Sequence, residues 1–243
     1  MITDIVFFVL VFLLAVLYAS VGHGGASGYL ALMALFSFPP DFMRPTALVL
    51  NIFVSSIAFY SFYRGGHFKL KLLLPFIITS LPFAFLGGML SINPKIYKLI
   101  LGLFLLIAVA RMFFSPKNFD GQTKPLNQPL ALGIGAVLGF LSGLIGIGGG
   151  IILSPIIILL RWADMKQTAA VSAAFILINS VSGLLGQSTH SLSLAPQSAI
   201  MLAVAIAGGV TGAYFGSIKA SNKALVVALS SVLFFAGIKL IFL

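Results

Sequence analysis

Cysteine and glutamate are both missing from the 243 residues, and tryptophan occurs once. Without thiols there can be no disulfide, no thiolate metal site and no cysteine nucleophile. The only acids are Asp4, Asp41, Asp120 and Asp164, each at a terminus, a segment end or a polar connection. Carriers of metal ions and most proton relays set carboxylates inside the bilayer. None is available here, so a cation route would have only carbonyl oxygens, and an anionic or neutral substrate is favoured. Paired carboxylates and histidine clusters for hydrolysis or redox chemistry are missing too. The chain is therefore not expected to be an enzyme, and neither a metal nor a cofactor is expected.

Charge is equally scarce. Charged residues make up 7% of the chain and hydrophobic ones 60%, with a mean hydropathy of +1.17. A soluble domain carries roughly 25% charged residues, so this chain could not cover its own surface in water. It reads as a polytopic membrane protein whose partner is the lipid bilayer. Lipid accepts helices or closed barrels, and the long apolar runs lack the alternation of barrel strands, so the fold is all-α. No basic stretch precedes the first apolar run, which argues against a cleaved signal peptide. The net charge of +10 does not indicate nucleic acid, because the basic residues are scattered in short loops without a stripe.

The apolar segments run approximately over Ile5–Phe38, Thr46–Tyr63, Leu72–Leu90, Tyr97–Phe114, Leu130–Leu160, Thr168–Gly186, Gln197–Phe215 and Ala224–Phe242. Trp162, Tyr60, Tyr63 and Tyr97 fall near segment ends, as interfacial aromatics should. "SPKNFDGQTKPLNQP", residues 115–129, is the one long polar connection, and its Pro, Asn and Gly mark a linker. It divides an N-terminal membrane repeat, 1–114, from a C-terminal one, 130–243. The halves resemble each other: with an offset of 124, "VGHGGA" (Val21–Ala26) lies on "IGIGGG" (Ile145–Gly150), so Gly22, Gly24 and Gly25 match Gly146, Gly148 and Gly149.

Two of the segments have an awkward length. A hydrocarbon core of about 30 Å needs about 20 helical residues. Ile5–Phe38 has 34 and Leu130–Leu160 has 31, too long for one crossing and too short for two. Glycine costs about 1 kcal/mol inside a helix, yet both segments carry their glycine cluster near the middle. We expect a break there, making each segment a hairpin followed by three membrane helices. Basic residues agree. If each long segment crosses once, the 14 Lys and Arg divide 7 to 7. If each is a hairpin they divide 10 to 4, the repeats become inverted, and both termini lie outside the cytoplasm by the positive-inside rule.

Inverted repeats with broken helices are the usual build of secondary transporters, with substrate held near the midplane. Helices resuming near Ala26 and Gly150 would aim unpaired N–H groups and positive dipole ends at a cavity, a site for an anion. Gly22, Gly24, Gly25, Ala26, Gly146, Gly148, Gly149 and Gly150 would supply that backbone. His23, inside the first break opposite Ile147, could bind an oxyanion or carry a coupling proton. Asn51 and Ser55 on one following segment, and Ser172, Asn179 and Ser180 on the other, could complete the pocket. The plainer alternative is that small and polar residues merely pack and join helices. A dinucleotide loop is excluded, because no strand precedes the glycines.

At these residues the chain resembles the TauE/SafE-like sulfite exporters, also called the 4-toluene sulfonate uptake permease family. The likeness rests on the duplicated glycine motif with Pro155 behind its second copy, on "AAVSAAFILINS", and on the overall size with a central linker. It departs in having "GHGGA" in the first half, and "AVS" where members often show Gly-Thr-Ser. The resemblance implies a multi-pass permease of the bacterial inner membrane for a small sulfur-containing oxyanion such as sulfite, thiosulfate or a sulfonate. The substrate anion is the expected small-molecule partner, and a homodimer is compatible with the sequence. The rival classes are an anion channel and a membrane scaffold.

Overall fold

A computed structural model describes residues 2–20, 22–113, 123–189, 196–216 and 223–242. It holds ten helices: α1 (Ile2–Ser20), α2 (Ala26–Leu35), α3 (Pro40–Arg64), α4 (Leu70–Met89), α5 (Pro94–Phe113), α6 (Gln128–Ile145), α7 (Gly150–Leu159), α8 (Met165–Gln187), α9 (Pro196–Gly216) and α10 (Lys223–Phe242). The protein is an all-α membrane protein. Five of the described helices, α3, α4, α6, α8 and α9, are long and apolar enough to cross a bilayer. Val21, the linker residues Lys117 and Asp120, His190 and Lys219 lie outside the described residues.

Both over-long segments are interrupted at their glycines. Gly22 and Gly25 in the first, and Gly146, Gly148 and Gly149 in the second, take positive φ, which a side chain disfavours. The helices that resume, α2 and α7, have 10 residues each, about 15 Å at 1.5 Å per residue. Neither can cross a 30 Å core.

Capping sets other boundaries. Asp164 accepts the Gln167 N–H at 2.9 Å to start α8, and Asn127 accepts the Leu130 N–H at 3.2 Å to start α6. Gln128 and Pro129, expected in the linker, therefore belong to α6. The third helix begins at Pro40, six residues before the expected Thr46. Pro40 stands at its first position, where the missing N–H is harmless, and Pro45 is carried inside the helix. Aromatics also correct the sequence reading. Tyr60 and Tyr63 are exposed as belt residues should be, but Tyr97 and Trp162 are buried. Tyr97 donates to the Ile145 carbonyl at 3.2 Å and caps α6, while Trp162 packs on Phe76 with ring centroids 6.0 Å apart.

Helices from opposite halves interlock through glycine. On α6, Gly135, Gly139 and Gly143 abut the α4 backbone at Phe76, Ser80 and Ala84. On α9, Gly208 and Gly212 abut α1 at Phe12 and Val16. Residue numbers rise together in both pairs, so α4/α6 and α1/α9 run parallel. Small residues let membrane helices approach this closely. By contrast α3 and α8 cross antiparallel, Leu48 lying by Gly183 while Asn51 lies by Ile176 and Ser180 around Gly148. The helices α5 and α10 are also antiparallel, Gly102 meeting Leu240 and Ile241, and Gly237 meeting Leu106. Both apolar core clusters draw residues from the two halves.

Candidate functional site

The two glycine breaks meet at the crossing of α3 and α8. Gly24 from the first and Gly148 from the second each lie against the same two side chains, Asn51 of α3 and Ile176 of α8. A Cβ on Gly148 would stand 2.6 Å from Asn51 Nδ2 and 2.9 Å from Ile176 Cγ2. Each break also touches the other half's long helix, Gly22 packing on Ala169 and Gly146 on the Arg44 backbone.

Asn51 joins the two breaks. It is fully buried. Its Oδ1 accepts the Ala26 N–H at 3.0 Å, the first residue of α2. Its Nδ2 donates to the Ile147 carbonyl at 3.2 Å, inside the second break. Ser55 donates to the Asn51 carbonyl at 2.5 Å, one turn on, and so steadies that turn of α3.

The two resumed helices are not equivalent. Asn51 caps α2. The start of α7 has no such cap: its N-cap is Gly149, which has no side chain to offer, and among the described residues the N–H groups of Gly149 and Gly150 meet no acceptor. Two buried polar atoms of α8 have no partner, Ser180 Oγ and Asn179 Oδ1. Ser180 Oγ is 3.3 Å from where a Gly148 Cβ would be, and Asn179 donates to the Phe175 carbonyl at 2.8 Å. A buried donor left unmatched costs about 1–3 kcal/mol, so the free N–H groups at the start of α7 favour an acceptor, whereas Asn179 Oδ1 is itself an acceptor.

His23 reaches across from the first break. Its Nε2 lies 3.1 Å from Ser154 Oγ of α7, which is 2.7 Å from Ser172 Oγ of α8 and 3.0 Å from the Gly150 carbonyl. All three side chains are buried. Thus Gly24, Asn51, Gly148, Gly150 and Ser180 meet at the crossing and His23 and Ser172 are joined through Ser154 beside it, whereas Gly22, Gly146 and Gly149 pack on Ala169, Arg44 and Phe175 and Asn179 bonds within α8. Gly25 instead packs on Tyr29, and Ala26 contributes an N–H that Asn51 already holds.

Two residues here escape the sequence reading. Ser154 is the one polar side chain in "GIILSPIIIL", one turn after Gly150 and opposite Leu30 of the first half, and that contrast is the available signal. Arg44 reads as a loop charge. In the fold it lies beside the second break, its backbone against Gly146 and its guanidinium donating to the Gly143 carbonyl at 3.4 Å and the Leu90 carbonyl at 3.3 Å, with its Nε buried and unpartnered. A cation there suits the negative end of α6. Among the described residues no three of His, Asp and Glu come together as metal ligands. The chemistry on offer is backbone N–H, hydroxyl, amide and imidazole, which suits oxygen acceptors.

Residues 7–240 match the sequence profile of the family described as sulfite exporter TauE/SafE. The chain belongs to this family. It is thus a multi-pass membrane transporter and not an enzyme. Among relatives of this TauE/SafE transporter, the probable membrane transporter protein y4hK of Sinorhizobium fredii is 39% identical over 234 residues, 95% of each chain. The probable membrane transporter protein YdhB of Bacillus subtilis is 27% identical over 245 residues, 95% of this chain and 97% of that one. The probable membrane transporter protein MJ0441 of Methanocaldococcus jannaschii is 33% identical over 147 residues, 57% of this chain and 53% of its own. No solved structure matches the chain significantly.

Proposed function

We propose that the protein is a secondary carrier of the inner membrane for a small sulfur-containing oxyanion, of the sulfite, thiosulfate or sulfonate class. The anion sits at the uncapped start of α7, and two inverted repeats, 1–114 and 130–243, rock about it. The observation that carries this reading is the asymmetry at the crossing. One resumed helix is capped by Asn51, while the other presents free N–H groups beside the unpartnered Ser180 hydroxyl. Backbone donors at a helix start and a neighbouring hydroxyl are what an oxyanion needs. The Asn51 carboxamide stands in the first half where an anion's oxygen would stand in the second, so one anion is held per protein.

The packing supports the inverted repeat. Each half runs as a broken pair followed by three helices. Counterparts α3/α8 and α5/α10 are antiparallel, as an axis in the membrane plane requires, and α1/α9 corresponds to α6/α4. The resumed helices α2 and α7 then return to the face from which α1 and α6 entered, and the termini lie away from the cytoplasm.

Reconstitution tests the proposal. Labelled sulfite is followed into liposomes preloaded with unlabelled sulfite, thiosulfate or a small sulfonate. Saturable uptake accelerated by one inner anion is expected. Unsaturable flux would indicate a channel, and no flux from folded protein would remove the sulfur-anion reading.

A further inference from the structure

The two sides of the crossing differ in polarity, and α8 carries the difference. Gly22 packs on Ala169 and Gly24 on Ile176 of α8, so His23 stands between them, level with Ser172. There its Nε2 meets Ser154 Oγ at 3.1 Å, and Ser154 meets Ser172 at 2.7 Å. The second break runs past α3 in the same way, Gly146 on Arg44 and Gly148 on Asn51. At the offset of 124 the places of His23, Ser154 and Ser172 are taken by Ile147, Leu30 and Leu48, all buried. Polar side chains can join membrane helices, but the other half packs at this level without them. Joining helices therefore does not account for the cluster.

The polar side continues to the end of the molecule where α8 begins. Thr168, Ser172, Ile176 and Ser180 are spaced four apart, one above another on a single face of α8. From Thr168 in the first turn to Ser180 is about 18 Å, at 1.5 Å per residue. All four are buried, and the hydroxyls at both ends of the column, Thr168 Oγ1 and Ser180 Oγ, have no partner. Burying a hydroxyl unmatched is costly, and two of them on one face mark a way for a polar ligand. Ile176 alone interrupts it. Its Cγ2 lies against Gly24 and Gly148, and a Cβ on Gly150 would run into its Cδ1, so it divides the start of α7 from the His23 cluster. On the reading of that start as the anion site, we propose that the anion reaches it through a chamber lined by Thr168, Ser172, Ser154 and His23, with Ile176 as the partition. The single proton of the Ser154 hydroxyl has His23, Ser172 and the Gly150 carbonyl within reach, so the cluster can turn donors toward an incoming anion without breaking a helix.

Single cysteines in membrane vesicles of either orientation test the route. Thr168→Cys, Ser172→Cys and Leu48→Cys are treated with an impermeant, negatively charged methanethiosulfonate, and Lys166→Cys, exposed at the start of α8, marks the face. Thr168→Cys and Ser172→Cys should be modified from the Lys166 face only, at least about tenfold faster than Leu48→Cys, because a minor open state is enough for reaction. Ser180→Cys should react slowly, and adding Ile176→Ala should speed it from that same face by about tenfold or more. Ile176→Val, which removes only the Cδ1 methyl, should speed it less and covers the case in which the alanine variant does not fold. Relative to Lys166→Cys, a positively charged reagent of the same size should be disfavoured in the chamber. Equal rates at Ser172→Cys and Leu48→Cys, modification from the opposite face, no effect of either Ile176 variant, or a preference for the cation would overturn the proposal. These rates do not depend on which anion is carried. Absent sulfite uptake with the expected rates would remove the sulfur-anion reading and leave the route, whereas normal uptake with inert Thr168→Cys and Ser172→Cys would remove the route alone.

Discussion

Asn51 bears on both breaks with a single planar group, so its substitutions separate packing from transport. Asn51→Ala removes two hydrogen bonds and leaves the Ile147 carbonyl buried without a donor. A loss of about 1–3 kcal/mol is expected on that account, read as a lower midpoint of thermal unfolding. Asn51→Asp keeps the acceptor for the Ala26 N–H but brings a negative charge beside the start of α7. It should weaken sulfite uptake by about tenfold or more, some 1.4 kcal/mol, in protein that still elutes as a folded species. Unchanged uptake by Asn51→Asp would remove the anion from this crossing. At this scale the sequence was informative where residue type is rare. A histidine inside a span and glycines in register are improbable by chance. Ser154 and Arg44 were not legible, because serine is common in membrane helices and an arginine near a segment end looks like any loop charge until its carbonyl partners are known.

Helices separate two uses of glycine that composition merges. Five of the break glycines, Gly22, Gly25, Gly146, Gly148 and Gly149, take positive φ, whereas those of α6 are helical and serve close approach to α4. A Cβ on Gly143 would meet the Ala84 carbonyl, but nothing lies within 4 Å of one on Gly133. Gly143→Leu should therefore destabilise by about 3 kcal/mol or more through overpacking. Gly133→Ala should be neutral or stabilising by up to about 1 kcal/mol. Thermal unfolding in detergent distinguishes them, and equal destabilisation would contradict the α4/α6 contact. Breaks were readable from the sequence because segment length and glycine position together exclude an unbroken span. The start of α3 was not, since Pro39, Pro40 and Pro45 read as loop residues, and only their placement in the first turns reconciles them with a helix.

Over the whole molecule, the lack of native cysteine makes single substitutions clean reporters of topology. If the repeats are inverted, Lys95→Cys faces away from the cytoplasm and Lys124→Cys faces it. An impermeant maleimide added to intact cells should label the first and not the second, and labelling of both or the reverse pattern would refute the proposed orientation. Hydropathy made the membrane class legible, but not that partners are drawn from opposite halves, because pairing between distant helices leaves no periodic trace. One such long-range tie has a consequence for how the chain is made. Lys239 of α10 donates to the Leu35 carbonyl at the end of α2 and to Ser37, each at 2.8 Å. These partners lie 204 residues apart in the chain, so at about 5–20 residues per second a ribosome needs roughly 10–40 s between them. Throughout that interval the short helix α2 sits without its closing lysine, and its terminal carbonyls depend on water or on the insertion machinery until the last helix arrives to seal it.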